Sequence, residues 1–491
     1  MATPAFIGRK PELDILRDLW ASPKAELLIL YGRRRVGKTR LFTYWIETDG
    51  PRALYWVAEP SSAHDQLSSF SQALFNFLNP QAPAPDDFTY ASWAQAFQQL
   101  AQAAQTERLA VVLDEFTYLL AVDAGIAGTL QNMWDQRLQG TQLFLAISGS
   151  HLGMMERHLL SYQAPLYGRA TARLNLLPLP FANTKLHFPN FRADERVALY
   201  AMLGGVPAYW GNVRTHLSID QNLRRLFLER DALLKDEPRL LLQDFISELN
   251  NYVAILRAIA EGRRTPKEIA RQAGLPDKHV PAYLAKLQET GFVERHVPVT
   301  AESATRLGRH YITDPFLRFY FRFLARRQSQ LALGVQDKAL AEIKRHLLDF
   351  IGTHTWEELC REWLLRAGAR ARLPFLPDQV GSVWARQAQI DVVGINTMEK
   401  TLILGECKWS PRTQDQDVLE TLVAKTGSFV PSEGKWRVYY VGFARVGWTT
   451  AAQGYAARVT KLDLNGPNWR VTGMRLLDLD QVDADLGAWT P

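Results

Sequence analysis

Over its first 180 residues the chain alternates short apolar runs with amphipathic stretches of helical period. Strand-length apolar runs fall near 26–31, 52–57, 109–113, 143–148 and 173–177. Strands that alternate with helices predict a parallel sheet with ligand at the carboxyl ends of its strands. The Gln/Ala-rich stretch 94–105 reads as an exposed helix. The pattern then changes. In TPKEIARQAGLPDKHVPAYLAKLQETGFVER (265–295), Thr265 and Glu268 form a capping box with proline at the first helical position, and Gly274 ends that helix. Val280, Tyr283, Leu284 and Leu287 then line one face of a second helix, Gly291 stops it, and FVERHV begins a strand. Helix, tight turn, helix, strand predicts a winged helix-turn-helix. In DPFLRFYFRFLARR (314–327), Phe316, Phe319, Tyr320 and Phe323 make a helical stripe that leaves Arg318, Arg322 and Arg326 outward. A core-facing helix that joins two domains is expected, and the alternative is a nucleic-acid platform. Further on, WEELCREWLLRAG (356–368) is an amphipathic helix. It precedes two short strands, 389–395 and 401–409, joined by a turn at NTMEK.

A chain of 491 residues exceeds a single core, so several domains are expected. Lys plus Arg number 57 against 51 Asp plus Glu, a net charge of +6 that permits a polyanionic partner without requiring one. The only cysteines, Cys360 and Cys407, make no disulfide framework and suit a reducing cytoplasm. No apolar run reaches membrane-span length, so no membrane partner is expected.

The densest chemistry lies at 26–47. A strand leads into Gly32-Arg-Arg-Arg-Val-Gly37-Lys38-Thr39, followed by a helix that opens with Lys38, Thr39 and Arg40. Glycines let backbone N–H groups curl around phosphates, and the helix N-terminus adds positive potential. Lys38 is expected to reach the β- and γ-phosphates of ATP, and the Thr39 hydroxyl to bind Mg²⁺. LAVVLDE (109–115) supplies the partner motif. Asp114 would complete the Mg²⁺ shell, and Glu115 would polarise the attacking water. After the strand at 143–148, Ser148 or Ser150 is a candidate for the γ-phosphate or the water.

FIGRKPELDIL, YGRRRVGKT, VVLDEF, ISGSHLGMM, PLYGRAT and GGVPAYW, in that order over the first 240 residues, resemble the archaeal-type P-loop ATPases related to AAA+ and STAND NTPases. The resemblance implies that Phe6 to Arg9 lie near the adenine. It implies that Pro207 touches the base from a helical lid, and that Arg169 is a γ-phosphate sensor or finger. The segment 314–327 is similar to one in members that carry an additional C-terminal domain (DUF234 type). On the second helix of the winged module Lys278, His279 and Lys286 stand against Glu289, with Arg263, Arg264 and Arg271 nearby, a set that offers phosphate contacts but little base readout.

In the last domain Glu406 and Lys408 point the same way from a strand, and Cys407 the other. A hairpin with Ile395 near Thr401 sets Asp391 opposite Gly405 or Glu406, close enough for two carboxylates to share a hard cation such as Mg²⁺ or Mn²⁺. Gly405 would permit a bulge or a close backbone approach. Helix, then hairpin with D…ExK, over roughly 350–480, resembles the PD-(D/E)XK nucleases. The resemblance implies that Asp391, Glu406 and Lys408 are catalytic and that Glu357, rather than Glu358, completes the metal shell. Residue 390 is Ile where a proline is common, and residue 389 is Gln where an acid is common in related ATPases.

The expected architecture is α/β: a P-loop ATPase core (1–180), a helical lid (181–240), a winged helix-turn-helix (241–312), connecting helices (313–345) and a restriction-endonuclease-like domain (346–491). The expected function is ATP hydrolysis coupled to DNA binding, with Mg²⁺- or Mn²⁺-dependent DNA cleavage as a second activity. A nucleotide switch with a non-cleaving C-terminal domain and a DNA-binding regulator are the alternatives, and a homo-oligomer is compatible with each.

Overall fold

The computed structural model of the chain describes residues 6–243, 249–302, 305–385 and 388–490. A five-stranded parallel sheet forms first: β1 (Glu26–Tyr31), β2 (Ala53–Val57), β3 (Leu109–Asp114), β4 (Leu143–Gly149) and β5 (Ala172–Asn175), in the order β2-β3-β4-β1-β5. The central strands read as unbroken apolar runs because both faces are covered. Leu27 and Ile29 enter one core with Val111, Leu113, Leu145 and Ile147. Leu28 and Leu30 enter the other with Ala110, Val112, Phe144 and Ala146. The helix Trp93–Thr106 belongs to the first of these cores. Trp93, Ala96, Phe97, Leu100, Ala101 and Ala104 are buried, so the stretch expected to be exposed is amphipathic instead. Alanine makes a shallow apolar face that a composition rich in Gln conceals.

The middle of the chain folds as helices Leu249–Ala260, Pro266–Ala273 and Val280–Glu289, then an antiparallel pair, β6 (Val293–His296) and β7 (Arg309–Ile312). Thr265 and Glu268 form the expected reciprocal cap, and Gly274 and Gly291 hold left-handed conformations at the two helix ends. The helix Pro315–Phe323 follows, started by an Asp314 cap on the Leu317 amide at 2.9 Å. Phe316 and Phe319 are buried as the stripe demands. Arg318 is buried too, against the expectation that it faces outward.

A second five-stranded sheet contains β8 (Gln379–Trp384), β9 (Gln389–Asn396), β10 (Thr401–Lys408), β11 (Trp436–Ala444) and β12 (Trp469–Asp478), ordered β12-β11-β10-β9-β8. The pairs β8–β9 and β9–β10 are antiparallel, whereas β10–β11 and β11–β12 are parallel. The helix Glu357–Ala369 packs on this sheet, where Gly394 leaves room for Leu364. One continuous apolar core runs from the helix Ala193–Leu203 through the winged module and Pro315–Phe323 to the final helix Leu479–Trp489. A buried bidentate pair, Arg196 with Asp483 at 2.7 Å, fastens that last helix to the helix Ala193–Leu203. The two halves therefore share packing, and the winged module is not a bead on a linker.

Candidate functional site

The carboxyl ends of β1 and β3 open into a cavity of 720 Å³ lined by Phe6, Arg9, Lys38, Thr39, Arg40 and Pro207, among others. Gly32 and Gly37 lie in conformations that disfavour a side chain. At Gly32 a Cβ would also strike the Leu176 carbonyl at 2.5 Å. Lys38 is buried and donates to the Gly32 and Arg33 carbonyls at 3.0 and 3.2 Å. Burial lowers its pKa, while Glu115 and Asp114 pull it back up. The Thr39 hydroxyl donates to Asp114 Oδ2 at 2.7 Å. Hydroxyl plus carboxylate is a donor set that suits a hard divalent cation. Asp114 is further fixed by Tyr55 and Ser148, which both donate to it. Glu115 lines the cavity, sits at φ 51°, and accepts from the Ser150 amide and hydroxyl at 3.2 and 2.8 Å.

Two expected contacts fall elsewhere. Ser148 is fully buried with its hydroxyl on Asp114, so it braces the carboxylate rather than facing phosphate. Arg169 is held by Asp135 at 2.8 Å and by the Pro165 carbonyl, and it does not line the cavity. A guanidinium in a surface turn takes the nearest carboxylate, and Asp135 on the helix Ile126–Gln136 provides one. Phe6, Ile7 and Arg9 do line the cavity, and Phe6 stacks on Tyr44 with centroids 4.0 Å apart. Arg9 ties the entrance together through the Val36 and Leu177 carbonyls. Gly205 approaches the Leu179 backbone so closely that a Cβ would sit 1.8 Å from its carbonyl oxygen, which sets Pro207 at the cavity wall.

The phosphate loop also reaches across the molecule. Arg35 pairs with the buried Glu237 at 2.9 Å, and Glu237 accepts from the Tyr209 hydroxyl at 2.8 Å. Arg33 donates to that hydroxyl at 3.3 Å and pairs with Asp314, the cap of the helix Pro315–Phe323. One turn along the same helix, Arg318 pairs with Glu358 at 2.7 Å. Glu358 neighbours Glu357, the candidate in the second site. The helix Pro315–Phe323 thus links the phosphate loop to the helix Glu357–Ala369. No local sequence signal marks the pairing of Arg33 with Asp314 or of Arg35 with Glu237, because each partner is remote in numbering.

In the second site the β9–β10 ladder pairs Thr401 with Asn396 and Gly405 with Val392. The next position in that register sets Asp391 against Glu406, within the one residue expected. Gly405 gives close backbone approach rather than a bulge: a Cβ would lie 3.1 Å from Val392 Cβ. Asp391 Oδ2 accepts the Cys407 amide at 3.2 Å. Burial raises the Asp391 pKa, and the charge on Glu406 adds to it. Glu357 is pushed up to about 8 by burial and by Asp391. Arg361, one turn beyond Glu357, donates to Glu357 at 3.3 Å and to the Asp391 carbonyl at 3.1 Å, which brings helix and strand together. Glu406 is buried between two ammonium groups, Lys408 at 2.7 Å and Lys425 at 3.2 Å. Lys425, at the end of the helix Gln416–Ala424, escapes sequence reasoning because nothing near it resembles a motif. Three carboxylates match the chemistry of Mg²⁺ or Mn²⁺. Among the described residues, however, no three acidic, His or Cys side chains are gathered into a ready metal cluster.

On the winged module, Lys286 is paired with Glu289 at 3.0 Å. Among the described residues Lys278 and His279, the other two expected contacts, make no ion pair.

Residues 6–213 match an ATPase domain found predominantly in Archaea. An uncharacterized protein of Methanocaldococcus jannaschii is 30% identical over 415 residues, covering 84% of this chain and 89% of that one. The chain belongs to the archaeal-type P-loop ATPases. Within this ATPase, residues 249–296 match the IclR helix-turn-helix domain, and 320–418 match a domain of unknown function described for archaeal and bacterial proteins. The second match contains Glu357, Asp391, Glu406 and Lys408. An uncharacterized ATP-binding protein of the same archaeon is 55% identical over 42 residues, 9% of this chain and 71% of its own. A Walker-type ATPase of Pyrococcus abyssi superposes with a TM-score of 0.50 at 19% identity, covering 66% of this ATPase and 99% of itself. That likeness establishes the fold. Among the described residues no helix is long and apolar enough to cross a membrane.

Proposed function

We propose that this ATPase uses its nucleotide state to control metal-dependent cleavage of DNA at the Asp391–Glu406 site. At the first site, Phe6 and Pro207 embrace the adenine, Lys38 neutralises the phosphates, and Thr39 with Asp114 holds Mg²⁺. Ser150 fixes the Glu115 carboxylate, which orients the attacking water. At the second site, Glu357, Asp391 and Glu406 would hold Mg²⁺ or Mn²⁺. A bound divalent cation there supplies charge stabilisation at the scissile phosphate. Lys408, released from Glu406, balances charge and orients the nucleophilic water. The observation that supports the reading is that the three acids feel one another: Asp391 adds to the raised pKa of Glu357 and Glu406 to that of Asp391, on strands whose register runs Gly405 against Val392. Buried, mutually repelling carboxylates are what a cation relieves.

The test is incubation of the protein with plasmid, branched and single-stranded DNA and Mg²⁺ or Mn²⁺, with and without ATP. Wild type is expected to nick DNA, and Asp391→Asn to lose nicking by about 1,000-fold. Arg33→Ala is expected to nick with the ATP response removed, because the link to Asp314 is cut. Nicking that survives Asp391→Asn refutes the assignment. One observation favours a second reading: both Glu406 oxygens are already held by lysines. In that case the last domain is a non-cleaving scaffold moved by an ATP switch, and no substrate is nicked under any condition.

A further inference from the structure

Beside the winged module lies a groove to which the arginine-bearing stretch 314–327 contributes. Two adjoining concavities of 380 and 310 Å³ share Arg326, Arg327 and Glu342 in their walls. Arg263 comes from the turn before the Thr265 cap, Arg322 from the helix Pro315–Phe323, and Lys338 and His346 from the helix Gln336–Ile351. Five cations here face two carboxylates, Glu261 and Glu342. Those carboxylates are taken by Arg326 at 2.7 Å and by Arg327. Arg263 and Arg322 are exposed and make no ion pair among the described residues, although Arg322 leans over the Phe323 ring. The positive field is felt deeper in. His354, below the groove, is held well under its usual pKa by burial and then by Arg318, Arg264 and Arg322. A concavity lined by an excess of one charge focuses its field and concentrates ions of the opposite sign. Planar guanidinium groups match phosphate oxygens two at a time. The helix Val280–Glu289, by contrast, has its single lysine, Lys286, already paired.

We propose that this groove, rather than the second helix of the winged module alone, grips the phosphate backbone of duplex DNA. The choice of DNA rests on the reading given under Proposed function. Binding is independent of cleavage and is measured in EDTA without nucleotide, so failure of one leaves the other standing. The probe is a fluorescein-labelled duplex of about 30 base pairs, titrated with the full chain from about 50 to 200 mM salt. Arg263→Ala with Arg322→Ala is expected to weaken binding at least about tenfold. It should also make the salt slope shallower by about two, one released ion per lost phosphate contact. Glu261→Gln, which frees Arg326, is expected to tighten binding. Retained ATP turnover in each variant reports an intact fold. Unchanged affinity and slope in the double variant would overturn the proposal. So would competition by polyglutamate as effective as unlabelled duplex, which would point to an acidic protein partner instead.

Discussion

Lys38→Ala is expected to lower ATP turnover at least about 1,000-fold, with the chain still folded. The ammonium group lies at the mouth of the phosphate loop, bonded to the Gly32 and Arg33 carbonyls, and its charge is sustained by Glu115 and Asp114 despite burial. Alanine leaves the transferring phosphate without that charge and the loop carbonyls without a donor. Glu115→Gln separates binding from chemistry. The amide can still accept from Ser150, so nucleotide affinity should hold within about threefold while turnover falls about 100-fold or more. Phosphate release and titration with a fluorescent ATP analogue measure the two quantities. Wild-type turnover in Glu115→Gln would remove Glu115 from the reaction.

Glu357→Gln is expected to abolish metal-dependent cleavage and yet make the metal-free chain more stable, by on the order of 1 kcal/mol near pH 8. The Glu357 carboxyl has its pKa raised from 4.5 to about 8, first by burial and then by Asp391. The folded state therefore holds a proton that the unfolded state has released between those values. For such a group the stability contribution is complete below the unfolded pKa and is lost as pH rises through the folded one. Wild type should lose stability across that window, and the glutamine variant should lose less. Urea unfolding at pH 5.5 and pH 8 measures the difference. Equal pH slopes in the two proteins would mean that Glu357 is not held protonated by its surroundings. A gain in stability joined to a loss of cleavage would mark Glu357 as kept for function.

Much of the first half was legible because its physics is local. A phosphate loop needs its glycines, lysine and threonine in one order, and a doubly covered sheet needs unbroken apolar strands, so 26–47 and 109–115 declare themselves. The hairpin register followed from the period of two, which carried Asp391 to Glu406. Long-range pairing was not legible. Arg318 reads as an outward cation until Glu358, forty residues later, is folded against it. Arg169 reads as a phosphate ligand until Asp135 is seen to hold it. Lys425 acquires meaning only beside Glu406, and Asp314 only beside Arg33. Charged side chains have long reach and little local signature, so motif spacing locates Lys38, Lys408 and the acids but misses partners such as Lys425 and Arg361.

The same ion pairs give the proposed coupling of the two sites a physical route. Arg33 and Arg35 tie the phosphate loop to Asp314 and Glu237, and the Arg318–Glu358 pair continues to the helix that bears Glu357. Movement of the loop on nucleotide turnover would shift the cap of the helix Pro315–Phe323, and a packed helix transmits such a shift as a unit.

The central claim is that the C-terminal carboxylates bind a divalent cation, and Mn²⁺ titration followed by electron paramagnetic resonance tests it most directly. Without nucleotide, the wild-type protein and Lys38→Ala should each bind one Mn²⁺ per chain, and Asp391→Asn should bind none. Mn²⁺ binding that persists in Asp391→Asn, or its absence from wild type without nucleotide, would contradict the account and leave Glu406 as the centre of a lysine ion pair.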